Sequence, residues 1–119
     1  MLISNECYNT TAQIRDVWFI NFPFDDPGNS HPGIVLGFEN GLVKVCSGTS
    51  KSWHKDDDSF VRVERGGMAG LRKVTYFQTS ETYHVTLESL RFKTGSINES
   101  DWESITGKIA RGAHANTIV

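Results

Sequence analysis

The sequence predicts a mainly β fold: a small antiparallel barrel or strongly bent sheet, closed by a C-terminal α-helix. Three observations predict it. Short runs of β-branched and aromatic residues recur between Gly, Pro and Asn punctuation, an Asn-Gly pair joins the two longest runs, and only residues 98–111 carry convincing helix signals.

Residues 1–14 are polar without clean periodicity and read as an N-terminal arm or a short edge strand. Strand character begins over residues 15–22, where Val17-Trp18-Phe19-Ile20 favours a pleated surface, and Pro23 ends it. Residues 24–30, rich in Asp, Pro, Gly and Asn, form a loop. The central stretch is residues 31–53. Its apolar run Ile34-Val35-Leu36 is too continuous for a strand with one wet face, so it belongs in the middle of a sheet, buried on both sides. Asn40-Gly41 tolerates the positive φ angles of a primed two-residue turn, and residues 42–46 return antiparallel. Pairing about that turn brings His31 and the Gly48-Thr49-Ser50 segment together at one sheet edge.

Beyond a polar loop at residues 53–59, Phe60-Val61-Arg62-Val63-Glu64 alternates apolar and polar, the mark of a half-buried strand. The glycines of residues 66–70 break it, and residues 74–77 and 83–87 read as two more short strands, five or six in all. Asn98 is placed to cap a helix with Glu99 and Asp101 in its first turn, while Ile97 and Trp102 occupy the two positions of a hydrophobic staple. Trp102, Ile105 and Ile109 share one stripe that can close the barrel. The expected organisation is therefore an arm over residues 1–14, one barrel domain with its helix over residues 15–111, and a flexible tail over residues 112–119.

At 119 residues and 38% hydrophobic, with thirteen aromatic residues, the chain suits one globular domain with a real core. No stretch approaches the roughly 20 apolar residues of a membrane helix, and the first residues lack a signal-peptide pattern. Cys7 and Cys46 have no metal-ligand spacing and read as free thiols in a reducing compartment, so a cytoplasmic location without membrane contact is expected. The net charge of -2 is unevenly spread: residues 44–73 hold seven basic and four acidic side chains, between acidic flanks. That excess suits either a solvated surface or a phosphate-facing patch.

Several chemistries are disfavoured. His31, His54, His84 and His114 lack HxxxH or HExxH spacing, and the triple acid Asp56-Asp57-Asp58 is more simply a solvated loop than a cation site, so no metal is expected. No phosphate-binding or dinucleotide-binding glycine pattern follows a strand, and no cofactor is expected.

The order DVWFINFP, a polar loop, HPGIVLGF, KVCSGTSK, AGL and then GSINESDWESI resembles the PemK/MazF family of toxins, over residues 16–109. Gly48-Thr49-Ser50-Lys51 and Ala69-Gly70-Leu71 look like a PemK-like branch. The resemblance implies an SH3-like barrel of the CcdB/MazF type and a homodimer. It also implies a metal-independent endoribonuclease of a type II toxin-antitoxin system, neutralised by an antitoxin protein and acting on single-stranded RNA such as mRNA. A CcdB-type gyrase inhibitor shares the fold and ranks third, because the chain ends Ala115-Asn116-Thr117-Ile118-Val119 without the Trp-Gly-Ile associated with that activity.

The family's catalytic Arg, before the Pro that opens the second strand, is His31 here, which is a departure; its Thr or Ser after the third strand matches Thr49, with Ser50 beside it. An arginine is a fixed cation, whereas an imidazole titrates near about 6.5 and can carry protons. His31, Thr49 and Ser50 are thus the candidate catalytic residues, although a solvated loop histidine and ordinary Gly-Thr-Ser turn chemistry are the plainer readings of the residues alone. Arg15, Lys51, Arg72 and Lys73 are candidates to supply the missing cation and bind RNA. Trp53 in its polar loop is the better candidate for base stacking, ahead of Phe24 and of Trp18, which reads as core. The alternative function is a non-catalytic PemK-like module that contacts protein or nucleic acid and has lost the active-site Arg.

Overall fold

The computed structural model describes residues 12–118, with side chains described over residues 12–112. Seven strands form one antiparallel sheet: β1 (Asp16–Ile20), β2 (His31–Glu39), β3 (Leu42–Thr49), β4 (Phe60–Val63), β5 (Thr75–Gln78), β6 (Tyr83–Val85) and β7 (Leu90–Ser96). A single helix, α1 (Glu99–Ile118), follows. The strand order is β4-β5-β3-β2-β1-β7, and β6 pairs with the first half of β3 while β5 pairs with its end. β3 thus pairs with three strands, β2 on one side and β6 and then β5 along the other.

The β2–β3 hairpin turns at Asn40 (φ 53°) and Gly41 (φ 78°), the positive pair a primed turn requires. Ile34 and Val35 are both fully buried, on opposite faces of the sheet: Ile34 packs with Val17, Phe77 and Ile105, and Val35 with Ile20, Phe22 and Val43. A shift in register between Val35 and Gly37 alters the rest of the hairpin. At the turn Glu39 faces Leu42, but past the bulge Gly33 faces Ser47, and that register continued two residues sets His31 opposite Thr49. Without the bulge Ser50 would take that place. Opposed residues of an antiparallel pair share a face, so the bulge selects which hydroxyl accompanies the imidazole.

α1 starts as the capping signals predict: Asn98 Oδ1 accepts the Asp101 backbone N–H at 2.8 Å, and buried Ile97 precedes half-buried Trp102. Ile105 is fully buried among Val17, Ile34 and Phe77. The helix continues to Ile118 through Gly107 and Gly112, so residues 112–118 are helical where a tail is expected. The arm falls outside the described residues up to residue 11, as does Cys7. Cys46 is free and fully buried, and burial pushes its thiol up to about 12, which rules it out as a nucleophile near neutral pH.

The sequence does not predict β7. Arg91, Lys93 and Gly95 dilute its pattern, and it is held by β1 across two register irregularities. β7 also rolls the sheet towards closure, because Thr94 Oγ1 donates to the carbonyl of Ala69 at 2.8 Å. Gly70 makes this possible: its φ is 67°, and a Cβ there would lie 2.2 Å from the Thr94 carbonyl oxygen.

A cation-lined cleft as candidate functional site

The open end of the β2–β3 hairpin meets the strand-closing turn and β7 in a cleft of about 680 Å³. His31 and Pro32 come from β2, Thr49-Ser50-Lys51 from the end of β3, Arg72 and Lys73 from the segment before β5, and Phe92-Lys93-Thr94 from β7. Four Lys or Arg side chains and no carboxylate line it. Such a wall focuses positive potential on an anion.

Of the expected site residues, His31, Thr49, Ser50, Lys51, Arg72 and Lys73 are brought together here. Trp53 lines a second, smaller pocket of about 240 Å³ that shares His31, Thr49 and Lys51 with the cleft. Arg15 lines neither pocket, which corrects its expected place. The register explains this: His31 pairs with Ile20 at the far end of β1, and Arg15 precedes the near end. Arg15 instead ties β1 to the rest of the fold. Its N–H donates to Val35 O and its carbonyl accepts from Ile97 N, both at 2.9 Å, while its guanidinium lies 5.3 Å from the centre of the Trp102 ring. Trp18 is partly buried against the group of Ile20, Phe22 and Val35, and Phe24 is exposed.

His31 is fixed from the loop between β1 and β2. Its Nδ1 is buried and lies 2.9 Å from Oδ1 of Asp25, whose side chain is only 4% exposed, although the contact is off the direction of an N–H donation. Asp25 Oδ2 accepts the Phe22 N–H at 3.0 Å, and Asn21 Nδ2 donates to the carbonyls of Asp26 and Asn29, which holds the loop. The Phe24 ring meets the imidazole edge to face at 5.5 Å. With Nδ1 enclosed and 42% of the side chain exposed, Nε2 is the ring nitrogen left for chemistry in the cleft.

Thr49 Oγ1 accepts the Lys51 backbone N–H at 3.2 Å, leaving its own proton free for a phosphate oxygen. Gly48 beneath it has no room for a side chain, since a Cβ would sit 2.7 Å from both the Phe77 ring and the Thr75 methyl. Phe92 and Lys93 are cleft residues that sequence patterning does not find, because they lie on the unpredicted β7. Phe92 stacks on Phe19 with centroids 4.9 Å apart, and Lys93 Nζ is 3.2 Å from Oδ1 of buried Asp16. The triple acid is engaged elsewhere: Asp57 accepts from Ser59, and Asp58 from Lys108. Among the described residues no cluster of His, Cys, Asp and Glu could hold a metal, and no helix is long and apolar enough to cross a membrane.

A strongly bent antiparallel sheet with one C-terminal helix defines a small SH3-like barrel protein, here with a cleft lined by cations at a hairpin's open end. No protein-family model and no curated protein match the sequence. Solved structures do match, and they place the fold more narrowly as that of the MazF toxins. The toxin MazF-mt6 of Mycobacterium tuberculosis superposes with a TM-score of 0.67 at 15% identity, covering 84% of this chain and 97% of that one. MazF from Deinococcus radiodurans gives 0.68 at 16%, covering 87% and 96%. An endoribonuclease from a mycobacterial species, in complex with its cognate antitoxin, gives 0.65 at 14%, covering 87% and 95%.

Proposed function

We propose that this chain is a MazF-like toxin, a metal-independent endoribonuclease that cuts single-stranded RNA. The observation that carries the reading is that His31, Thr49 and Lys51 stand at the junction of two pockets with no carboxylate in either lining. In this reading His31 Nε2 takes the proton from a 2′-hydroxyl, whose oxygen forms a bond to the adjacent phosphorus. The bond from phosphorus to the 5′-oxygen breaks, and the imidazolium returns its proton to that oxygen. Thr49 Oγ1 and Lys51, with Arg72 or Lys73, donate to the phosphate oxygens as charge builds on them. Ser50 is a further donor on the same wall. The chain works as a cytoplasmic homodimer, and an antitoxin restrains it by filling the cleft, in keeping with the antitoxin complexes of fold neighbours.

The test is purified protein on mixed-sequence RNA with chelator present, beside Thr49→Ala and His31→Ala. Cleavage that both substitutions abolish supports the enzyme. The second reading, a binding module without catalysis, is favoured by the imidazole standing where the resemblance implies a guanidinium. Protein that binds RNA but never cuts it, in any buffer, establishes that reading instead.

A further inference from the structure

The proposed chemistry occupies the larger cleft and leaves the 240 Å³ pocket without a role. Rings line much of that pocket, among polar residues. Trp53 is 70% exposed at its mouth, Phe24 faces it from the loop before β2, and His54 stacks on Phe60 at 4.1 Å in its wall. Lys51 Nζ sits 5.0 Å from the centre of the Trp53 ring, which holds an otherwise free indole at the pocket's edge. Gln78, on β5, adds an amide with both donors and an acceptor. The volume falls below the roughly 300–1,000 Å³ typical of drug-sized ligands and suits one flat ring system. Exposed rings beside a cationic wall are the usual means of holding an unpaired base.

We infer that this pocket binds the nucleobase next to the phosphate that is cut, stacked on Trp53 and read at its edge by Gln78, which makes Gln78 a specificity-determining residue. The inference rests on the nuclease reading. Its geometric warrant is that the residues common to both cavities are His31, Thr49 and Lys51, so a phosphate held by those three has a base-sized pocket on one side and the main cleft on the other. A Gln side chain can satisfy a base edge with a paired donor and acceptor, and discrimination follows because a mismatched edge leaves a polar group unpaired.

The test uses single-stranded 2′-deoxy oligonucleotides, which cannot be cut because the attacking hydroxyl is missing, varied one base at a time and followed by tryptophan fluorescence. Wild type is expected to show saturable quenching that depends on the base at one position. Trp53→Leu loses that quenching and weakens binding at least about fivefold. Gln78→Ala and Gln78→Glu still bind the strand, but Gln78→Ala evens out the base preference to within about twofold and Gln78→Glu shifts it to another base. Unchanged affinity in Trp53→Leu overturns the pocket, and so does a preference that is absent in wild type or survives both Gln78 variants. Sequenced cleavage products separate the two readings. Cleavage with a base preference indifferent to Gln78 overturns the pocket and leaves the nuclease standing. Gln78-dependent binding without cleavage of RNA upholds the pocket and overturns the nuclease, and no binding of any strand overturns both.

Discussion

Two histidines lie against carboxylates at opposite ends of the β2–β3 hairpin. At the turn, His84 Nε2 meets Glu39 Oε1 at 2.6 Å, with both side chains open to water. At the open end, His31 Nδ1 meets Asp25 at 2.9 Å, but there the carboxylate is enclosed and its second oxygen takes a backbone N–H. The shorter contact is the less consequential one. Water screens the exposed pair and competes for each partner, whereas at the open end the carboxylate and the ring nitrogen beside it are both out of water, and Nε2 is the nitrogen left to the cleft. Burial and surroundings, more than separation, divide a surface contact from a site.

The largest test of that division is catalytic. His31→Ala is expected to lower RNA cleavage by about 10²- to 10⁴-fold, while His84→Ala leaves it unchanged. Equal effects would erase the distinction between the two ends. His31→Arg sharpens it, since higher activity would mean that fixed charge limits the cleft more than proton transfer does.

A stability comparison comes next. Asp25→Asn keeps a similar shape but weakens the oxygen that meets Phe22 N–H, and is expected to cost about 1–3 kcal/mol in denaturant melts. Glu39→Gln should move the midpoint much less, since water screens its contact with His84.

The cations of the open end give a smaller, graded effect. Replacing Arg72 and Lys73 with Ala should weaken binding of single-stranded RNA and reduce the slope of log affinity against log salt by about 0.7 for each phosphate no longer neutralised. Arg62, on the exposed face of β4 and paired at 2.9 Å with Glu64 just beyond it, is the control and should change neither.

The smallest effect is a titration. His84, followed by Lys44, holds the Glu39 carboxyl below its ordinary value of 4.5. A lowered carboxylate stabilises the fold above its ordinary value and loses that contribution as pH falls through the lowered one. Carboxyl NMR of His84→Asn should show Glu39 titrating closer to 4.5.

Much of this arrangement is legible in the sequence where local chemistry dictates it. Asn40-Gly41 names its turn, Ile34-Val35 declares a strand buried on two faces, and Asn98 with Ile97 and Trp102 fixes the helix start. The meeting of His31 with the Gly-Thr-Ser segment follows from the turn alone. What is not legible depends on partners distant in the chain. The bulge at Leu36, with only Gly37 beside it as a local sign, sets Thr49 rather than Ser50 across from His31. β7 is recognisable only once β1 and Ala69 are in place, so Phe92 and Lys93 stay hidden with it. Asp25 is a local exception: its segment reads as loop, and its bond to the Phe22 N–H three residues back gives no sign that its side chain is buried beside His31. Arg15 looks like a spare cation until the register assigns it to the end of β1 away from His31.

Gly48 joins the interior to the chemistry more tightly than any pairing in the cleft itself. The Phe77 ring and the Thr75 methyl already fill the space above its α-carbon. Any graft of bulk there, or a wider ring at residue 77, would be felt first as a shoved Thr49. Bulk at residue 48 therefore presses on the core and on the cleft wall together.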